Sequence, residues 1–192
     1  MGLWVFYKRR LAPEARLVRA AEARLRRGEF CLEYQPVMSL REGKCVGVDA
    51  MIRWTNAEHG LKGPADYMRI LGKTRLIARL TRFVLSTAAR DLAELMADSS
   101  LYIGVNVYSD HVENRGFASD VIRSAKAIRS RLVLNMSQLR CAAPTIDVQG
   151  TVAALRAKRV RFASMPLSLL VTFLEAGGES LRMRKKKRWK LR

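Results

Sequence analysis

The sequence predicts an α/β fold built on a parallel sheet. Three observations support this prediction. Strand-like and helix-like patterns alternate along the chain, the connections between them are only a few residues long, and 49% of the residues are apolar. The 192 residues can bury a sizeable core, so we expect one domain with short appendages.

The first elements are a helix and a pair of strands. Residues 13–27 are rich in Ala, Leu, Arg and Glu and repeat apolar positions near the helical period. Strands are predicted at 30–37 and 45–54, with a turn at Glu42 and Gly43 between them. Pro36 lacks a backbone N–H, so we expect a bend or a sheet edge at this position.

The rest of the body alternates in the same way. Apolar residues at helical spacing cover residues 65–97, with a break near 72–75 that predicts two helices, and Pro64 suits the first turn. The later patterns predict strands at 101–107, 132–136 and 160–163, and helices at 117–128, 146–159 and 166–175. This order is typical of βαβ units.

The net charge of +19 lies mostly at the two ends of the chain. Residues 1–27 have a balance of +6 and residues 181–192 a balance of +8. Such charge attracts nucleic acid, an anionic membrane surface or an acidic protein, and a solvated, disordered tail is the alternative. An aromatic ring among the bases of the tail could stack on a nucleobase or lie at lipid headgroups. The candidate tail residues are Lys185, Lys186, Lys187, Arg188 and Trp189.

The N-terminus has a short apolar run before positive charge. Residues 3–7 are apolar or aromatic, and residues 8–10 are all basic. This pattern fits the end of a membrane helix, an interfacial anchor or a frayed start. No apolar window is long enough to span a bilayer, so we expect a cytoplasmic protein that could associate with the membrane through this end.

The cysteines and histidines are too widely spaced to predict a disulfide framework or a zinc site. Cys31, Cys45 and Cys141 are odd in number and contain no C-x-x-C pair, which favours a reducing compartment and a role in core packing. His59 and His111 stand alone in loop-like contexts, and we expect surface or capping roles for them.

Residues 28–54 contain several ordered motifs that resemble a known family. They read Gly28-Glu29-Phe30, then Tyr34-Gln35-Pro36, then Val46-Gly47-Val48-Asp49-Ala50-Met51 and finally Arg53-Trp54. This order is similar to the opening of an EAL domain, the bacterial domain that hydrolyses cyclic di-GMP. The resemblance extends over residues 25–163.

The resemblance implies a (β/α)8 TIM-type barrel with its site at the carboxyl ends of the strands. A full barrel typically needs about 250 residues. We therefore expect a partial barrel of five or six βα units at 28–180, between a basic, juxtamembrane-like leader at 1–27 and a basic tail at 181–192. An open barrel leaves a strand edge and an apolar face uncovered, which favours a protein partner or a homo-oligomer.

The family's reaction requires two divalent cations held by carboxylates. The resemblance places Asp49 at the signature Glu and keeps Asn106 as a metal-ligating Asn. Asn135 and Gln138 stand where active members have Glu, and residues 165–168 read Met-Pro-Leu-Ser where they have Asp-Asp-Phe-Gly. Asp49 and Asn106 are thus residual metal ligands, and no catalytic residue is assigned. No cofactor is expected unless the chain is a phosphodiesterase, which would require Mg²⁺ or Mn²⁺.

Two positions match family residues that contact the dinucleotide. They are Gln35 and Arg53, and the guanidinium could pair with a phosphate. In the alternative interpretation Gln35 caps a bend and Arg53 makes an internal ion pair.

Together these features predict a degenerate, non-catalytic regulatory protein of bacterial signalling. The resemblance implies protein contacts, with cyclic di-GMP as a candidate ligand, that control gene expression, motility or virulence. The alternatives are a weak cyclic di-GMP phosphodiesterase and a truncated remnant of a membrane-anchored one.

Overall fold

The computed structural model describes residues 13–39, 41–54, 64–97, 100–136, 146–163, 181–183 and 189–191. The helices are α1 (Pro13–Arg26), α2 (Pro64–Leu71), α3 (Leu76–Asp91), α4 (Ala93–Ala97), α5 (Ser109–Val112), α6 (Phe117–Ser124) and α7 (Ile146–Ala157). The strands are β1 (Phe30–Ser39), β2 (Lys44–Trp54), β3 (Tyr102–Asn106), β4 (Leu132–Asn135), β5 (Arg161–Ala163), β6 (Leu181–Met183) and β7 (Trp189–Leu191).

The strands form one sheet in the order β5-β4-β3-β2-β1-β6-β7. Strands β2 to β5 are parallel, and helices connect each of them to the next. Strand β1 is antiparallel to β2 because a tight turn joins them. The predicted parallel sheet is therefore confirmed for β2 to β5, and the first strand adds a hairpin at its side.

Special backbone residues occur at three element boundaries that the sequence predicted. Gly28 follows α1 with φ of +71°, and Gly43 lies in the hairpin turn with φ of +62°. Both values are in the left-handed region, where a side chain is disfavoured. Pro64 begins α2, where its missing N–H costs no helical hydrogen bond.

The bend expected at Pro36 is absent. Pro36 lies in register with Val48 inside the β1–β2 ladder, and the pairing is irregular only one step later, between Val37 and Met38. The bend alternative is wrong because an antiparallel ladder can keep its register around one missing donor. The sheet-edge alternative stays a prediction, because among the described residues β1 pairs with β6 at Tyr34 and not at Pro36.

The core lies between one face of the sheet and the helices. Leu32, Tyr34, Val48, Val105 and Leu134 alternate along their strands with polar residues and are buried. Helices α3, α6 and α7 cover this face with apolar side chains. A second cluster joins α1, α2 and the start of α3 to the ends of β1 and β2. Leaving a cavity at such positions costs about 2–5 kcal/mol per large apolar side chain.

Parts of the basic tail belong to the sheet. Strand β6 pairs with β1 at Leu181 and Tyr34, and β7 pairs antiparallel with β6. The alternative of a wholly disordered tail is therefore wrong for residues 181–183 and 189–191. The tail candidates Lys185, Lys186, Lys187 and Arg188 lie outside the described residues, as does the side chain of Trp189.

Several other predictions also fall on positions that the structure does not describe. These are the leader up to residue 12, His59, Gln138, Cys141, residues 165–168 and the helix at 166–175. None of the helices in the described part of the chain is long and apolar enough to cross a membrane.

Candidate functional site

The face of the sheet opposite the core is polar. Residues opposite each other on paired strands share a face, and successive residues alternate between faces. The register aligns Gln35 with Asp49, Asp49 with Gly104, and Asn106 with Asn135. We call this surface the inner face, because it would line the interior of a barrel. Its polar side chains are Glu33, Gln35, Asp49, Arg53, Tyr102, Asn106, Asn135 and Arg161.

Asp49 extends across β3 to reach Asn135. The side-chain amide of Asn135 donates to Oδ1 of Asp49 at 3.4 Å. A Cβ atom at Gly104, on the strand between them, would lie 1.7 Å from the same oxygen. Only glycine leaves room for this carboxylate, and a glycine inside the apolar strand pattern was the available signal for such a close approach.

The Asp49 carboxylate is half-buried, and its pKa is raised. Burial is the main cause because it disfavours the charged form, and the hydrogen bond from Asn135 acts in the opposite direction. The neutral amide therefore offsets only part of the cost of burying this charge.

Asn106 lies beside Asn135 at the carboxyl ends of β3 and β4. Its side-chain amide lies 3.5 Å from the sulfur of Met51. Within the described residues, no three His, Cys, Asp or Glu side chains are grouped as metal ligands would be. One shortened carboxylate and two amides do not fit a centre for two dications, which demands several hard, negatively charged oxygens.

Arg53 and Glu33 form an ion pair on the inner face. Nε of Arg53 lies 2.5 Å from Oε2 of Glu33, and their side chains are 21% and 11% exposed. The alternative of an internal ion pair is thus confirmed for Arg53. Gln35 lies within the β1 ladder, so the alternative that it caps a bend is wrong. Dinucleotide binding by Gln35 and Arg53 stays a prediction.

His111 is buried, which contradicts the surface role expected for it. It lies in α5 with 2% of its surface exposed, and its Nδ1 is 3.1 Å from Oγ1 of Thr81. Its Nε2 is 3.6 Å from Oδ2 of Asp120, too long for a hydrogen bond. Burial lowers its pKa, against the opposing effect of the Asp120 carboxylate. The prediction failed because the local sequence shows neither partner.

The two cysteines that the structure describes differ in burial, although the sequence predicted core packing for both. Cys31 is half-buried, but Cys45 is exposed near the start of β2, where its thiol contacts the carbonyl of Gly47 at 3.3 Å. The prediction of core packing is wrong for Cys45, which lies near the hairpin turn at the exposed start of β2.

The family model described as "EAL domain" matches residues 17–163. The chain is 35% identical over 98 residues to the cyclic di-GMP phosphodiesterase PA2567 of Pseudomonas aeruginosa, covering 50% of this chain and 17% of that protein. It is 27% identical over 138 residues to the probable cyclic di-GMP phosphodiesterase PdeG of Escherichia coli, covering 69% and 26%. The chain thus spans only a fraction of the length of these relatives.

Solved structures show the same fold. The PaMucR phosphodiesterase in its c-di-GMP complex matches with a TM-score of 0.69 at 23% identity, over 78% of this chain and 62% of that one. The Xanthomonas citri FimX EAL domain in complex with c-di-GMP matches with a TM-score of 0.63 at 18% identity, over 86% and 67%. These matches confirm the predicted fold class, an α/β partial barrel.

Proposed function

The chain belongs to the EAL domain family, and we propose that it is a non-catalytic member that acts in cyclic di-GMP signalling through protein contacts. The family is one of cyclic di-GMP signalling. The observation that supports the finer proposal is the hydrogen bond from Asn135 to Asp49, because a neutral amide occupies the position where the resemblance implies a metal-binding carboxylate.

The charge at these positions opposes metal-dependent hydrolysis. Hydrolysis by the family's route uses two dications to stabilise the attacking and leaving oxygens of the phosphodiester. An amide in place of a carboxylate removes one full negative charge beside a dication, and the sequence makes this change at both Asn135 and Gln138. Asp49 retains its charge, but its side chain is one methylene shorter than Glu.

The inner face can still bind without turnover. Arg53 would offer a guanidinium to a phosphate, and Gln35 would offer an amide to a base or a sugar. Glu33 already neutralises Arg53, so a bound dinucleotide has to share this guanidinium with a carboxylate. We therefore give protein contacts the larger role and treat cyclic di-GMP as a weakly bound ligand.

The sheet edges support a protein partner. Among the described strands, β5 and β7 are the two ends of the sheet. Edge strands present unpaired backbone groups that another chain can pair with. By analogy with degenerate relatives, we propose that these contacts regulate gene expression, motility or virulence.

The first test measures hydrolysis. The purified chain is incubated with cyclic di-GMP and Mg²⁺ or Mn²⁺, and the linear dinucleotide is quantified by chromatography, with the PA2567 phosphodiesterase as positive control. We expect the linear dinucleotide to form no faster than it does without protein. Linear product would instead support the weak phosphodiesterase.

The second test measures binding and folding. Calorimetric titration of cyclic di-GMP is compared between the unchanged chain, Gln35→Ala and the control Arg69→Gln, whose side chain is exposed on α2. If cyclic di-GMP binds weakly to the unchanged chain and to Arg69→Gln but not to Gln35→Ala, the protein is a cyclic di-GMP receptor. If cyclic di-GMP binds to none of the three chains, the protein acts through protein contacts alone. A thermal melt without cooperativity would support the truncated remnant.

A further inference from the structure

A groove rich in arginine lies at the amino-terminal edge of the parallel strands. Its volume is about 810 Å³. The inner-face amides Asn106 and Asn135 lie at the carboxyl ends of β3 and β4, at the opposite edge of the sheet. The polar residues that line the groove precede β3 and β4, or lie in the last turn of α7, in the turn after it and at the start of β5. They are Ser100, Ser130, Arg131, Arg156, Arg159 and Arg161.

The groove is strongly positive. None of the described residues that line it is acidic. Two of the guanidiniums lie over aromatic rings, Arg156 at 6.0 Å from the centre of Phe162 and Arg161 at 5.9 Å from that of Tyr102. Such stacking holds the long side chains in place while their N–H donors stay available to a ligand.

Arg159 has an unusual backbone. Its φ is +67°, the one positive value among the non-glycine residues that the structure describes. This left-handed conformation caps the end of α7, because the backbone N–H of Val160 donates to the carbonyl of Leu155 at 3.1 Å. The turn after α7 thereby brings this residue to the groove between Arg156 and Arg161.

We propose that this groove binds a phosphate-bearing ligand of nucleotide size. Guanidinium groups match phosphate oxygens with paired donors, and serine hydroxyls can complete the set. The volume lies within the range of roughly 300–1,000 Å³ usual for small-molecule sites.

The test titrates ATP and, separately, inorganic pyrophosphate into the full chain while amide resonances are recorded. We expect shifts at Ser130 and Arg161, and a dissociation constant raised about five-fold or more in Arg159→Gly and in Arg161→Gln. Gly suits a positive φ, so Arg159→Gly folds at least as well as the unchanged chain. The control Arg69→Gln removes the same charge from the exposed surface of α2 and should change the constant little.

Equal weakening in all three variants would overturn the proposal, because it would indicate general attraction by net charge. Absence of binding at low salt would also overturn it. Binding of an RNA oligonucleotide at the groove without binding of ATP or pyrophosphate would assign the groove to nucleic acid instead. Cyclic di-GMP is titrated in parallel. If Arg159→Gly loses binding of ATP but not of cyclic di-GMP, the groove and the inner face are different binding sites.

Discussion

Asn135 on β4 donates a hydrogen bond of 3.4 Å to Asp49 on β2, over the glycine of the strand between them. The resemblance implies that active members of the family have Glu at both positions. The hydrogen bond from Asn135 favours the charged form of Asp49 and offsets part of the cost of burying it.

Asp49→Asn should stabilise the fold at neutral pH. Burial raises the pKa of Asp49, so the folded chain binds the proton more tightly than the unfolded one, and stability is lost as pH rises from the usual value of 3.8 through the folded value. The amide removes this cost, and we expect Tm to rise by about 2 °C at pH 7. The gain should shrink as pH falls towards 3.8.

The matched control for this change is Glu113→Gln, which removes one negative charge from an exposed position. Thermal melts of both variants from pH 4 to pH 8 check the prediction. A stability gain in the control equal to that in Asp49→Asn would show that net charge, and not the buried carboxylate, is responsible.

Gly104→Ala should destabilise the sheet strongly. The new Cβ would lie 1.7 Å from Oδ1 of Asp49, so the carboxylate must move away from Asn135. Overpacking of this kind costs about 1–3 kcal/mol, and urea unfolding measures it. Combining it with Asp49→Ala should recover much of the loss, and simple additivity of the two changes would contradict the contact.

Arg53→Ala should cost about 2–4 kcal/mol, because it leaves the buried Glu33 carboxylate without its guanidinium. The double variant Arg53→Met with Glu33→Gln should be more stable than Arg53→Ala. Urea unfolding of the unchanged chain, Arg53→Met, Glu33→Gln and their double variant, which form a double-mutant cycle, gives the coupling energy. A coupling near zero would mean that the pair contributes nothing to the fold.

The contribution of His111 to stability should fall as the pH drops below 6.5. Burial lowers the pKa of His111, so its contribution is complete above the usual value of 6.5 and is lost as pH falls through 6.5 to the folded value. Its neighbours Asp120 and Arg82 have opposing effects on this pKa. Urea unfolding at several pH values measures this loss, and the pH dependence between 7.5 and 5.5 should be weaker in His111→Gln than in the unchanged chain.

An NMR titration of the imidazole provides an independent check of this prediction. The buried ring should have its midpoint below 6.5. A midpoint at or above this value would show that Asp120 outweighs burial.

The sequence predicted most of the fold because periodicity and end signals are local. Apolar spacing located α3 and its neighbours, and Gly28, Gly43 and Pro64 marked boundaries that the structure keeps. The addition of β6 and β7 to β1 could not be predicted in this way, because it depends on pairing across more than a hundred residues of chain and on strands only three residues long.

The site was only partly predictable for the same reason. The resemblance identified Asp49, Asn106 and Asn135, and strand register then brought them to one face. The burial of His111 depends on Thr81, thirty positions away, and the approach of Asp49 to Gly104 depends on strand pairing. Contacts of this kind are fixed by tertiary packing and leave little trace in local pattern.

The central claim is that this chain does not hydrolyse cyclic di-GMP, and single-turnover assay tests it most directly. Protein in large excess over cyclic di-GMP is incubated with Mn²⁺, and the linear dinucleotide is measured over hours. The account predicts that the cyclic form persists at the level of the protein-free control. Stoichiometric conversion to the linear dinucleotide would contradict it, provided that a chelator abolishes this conversion.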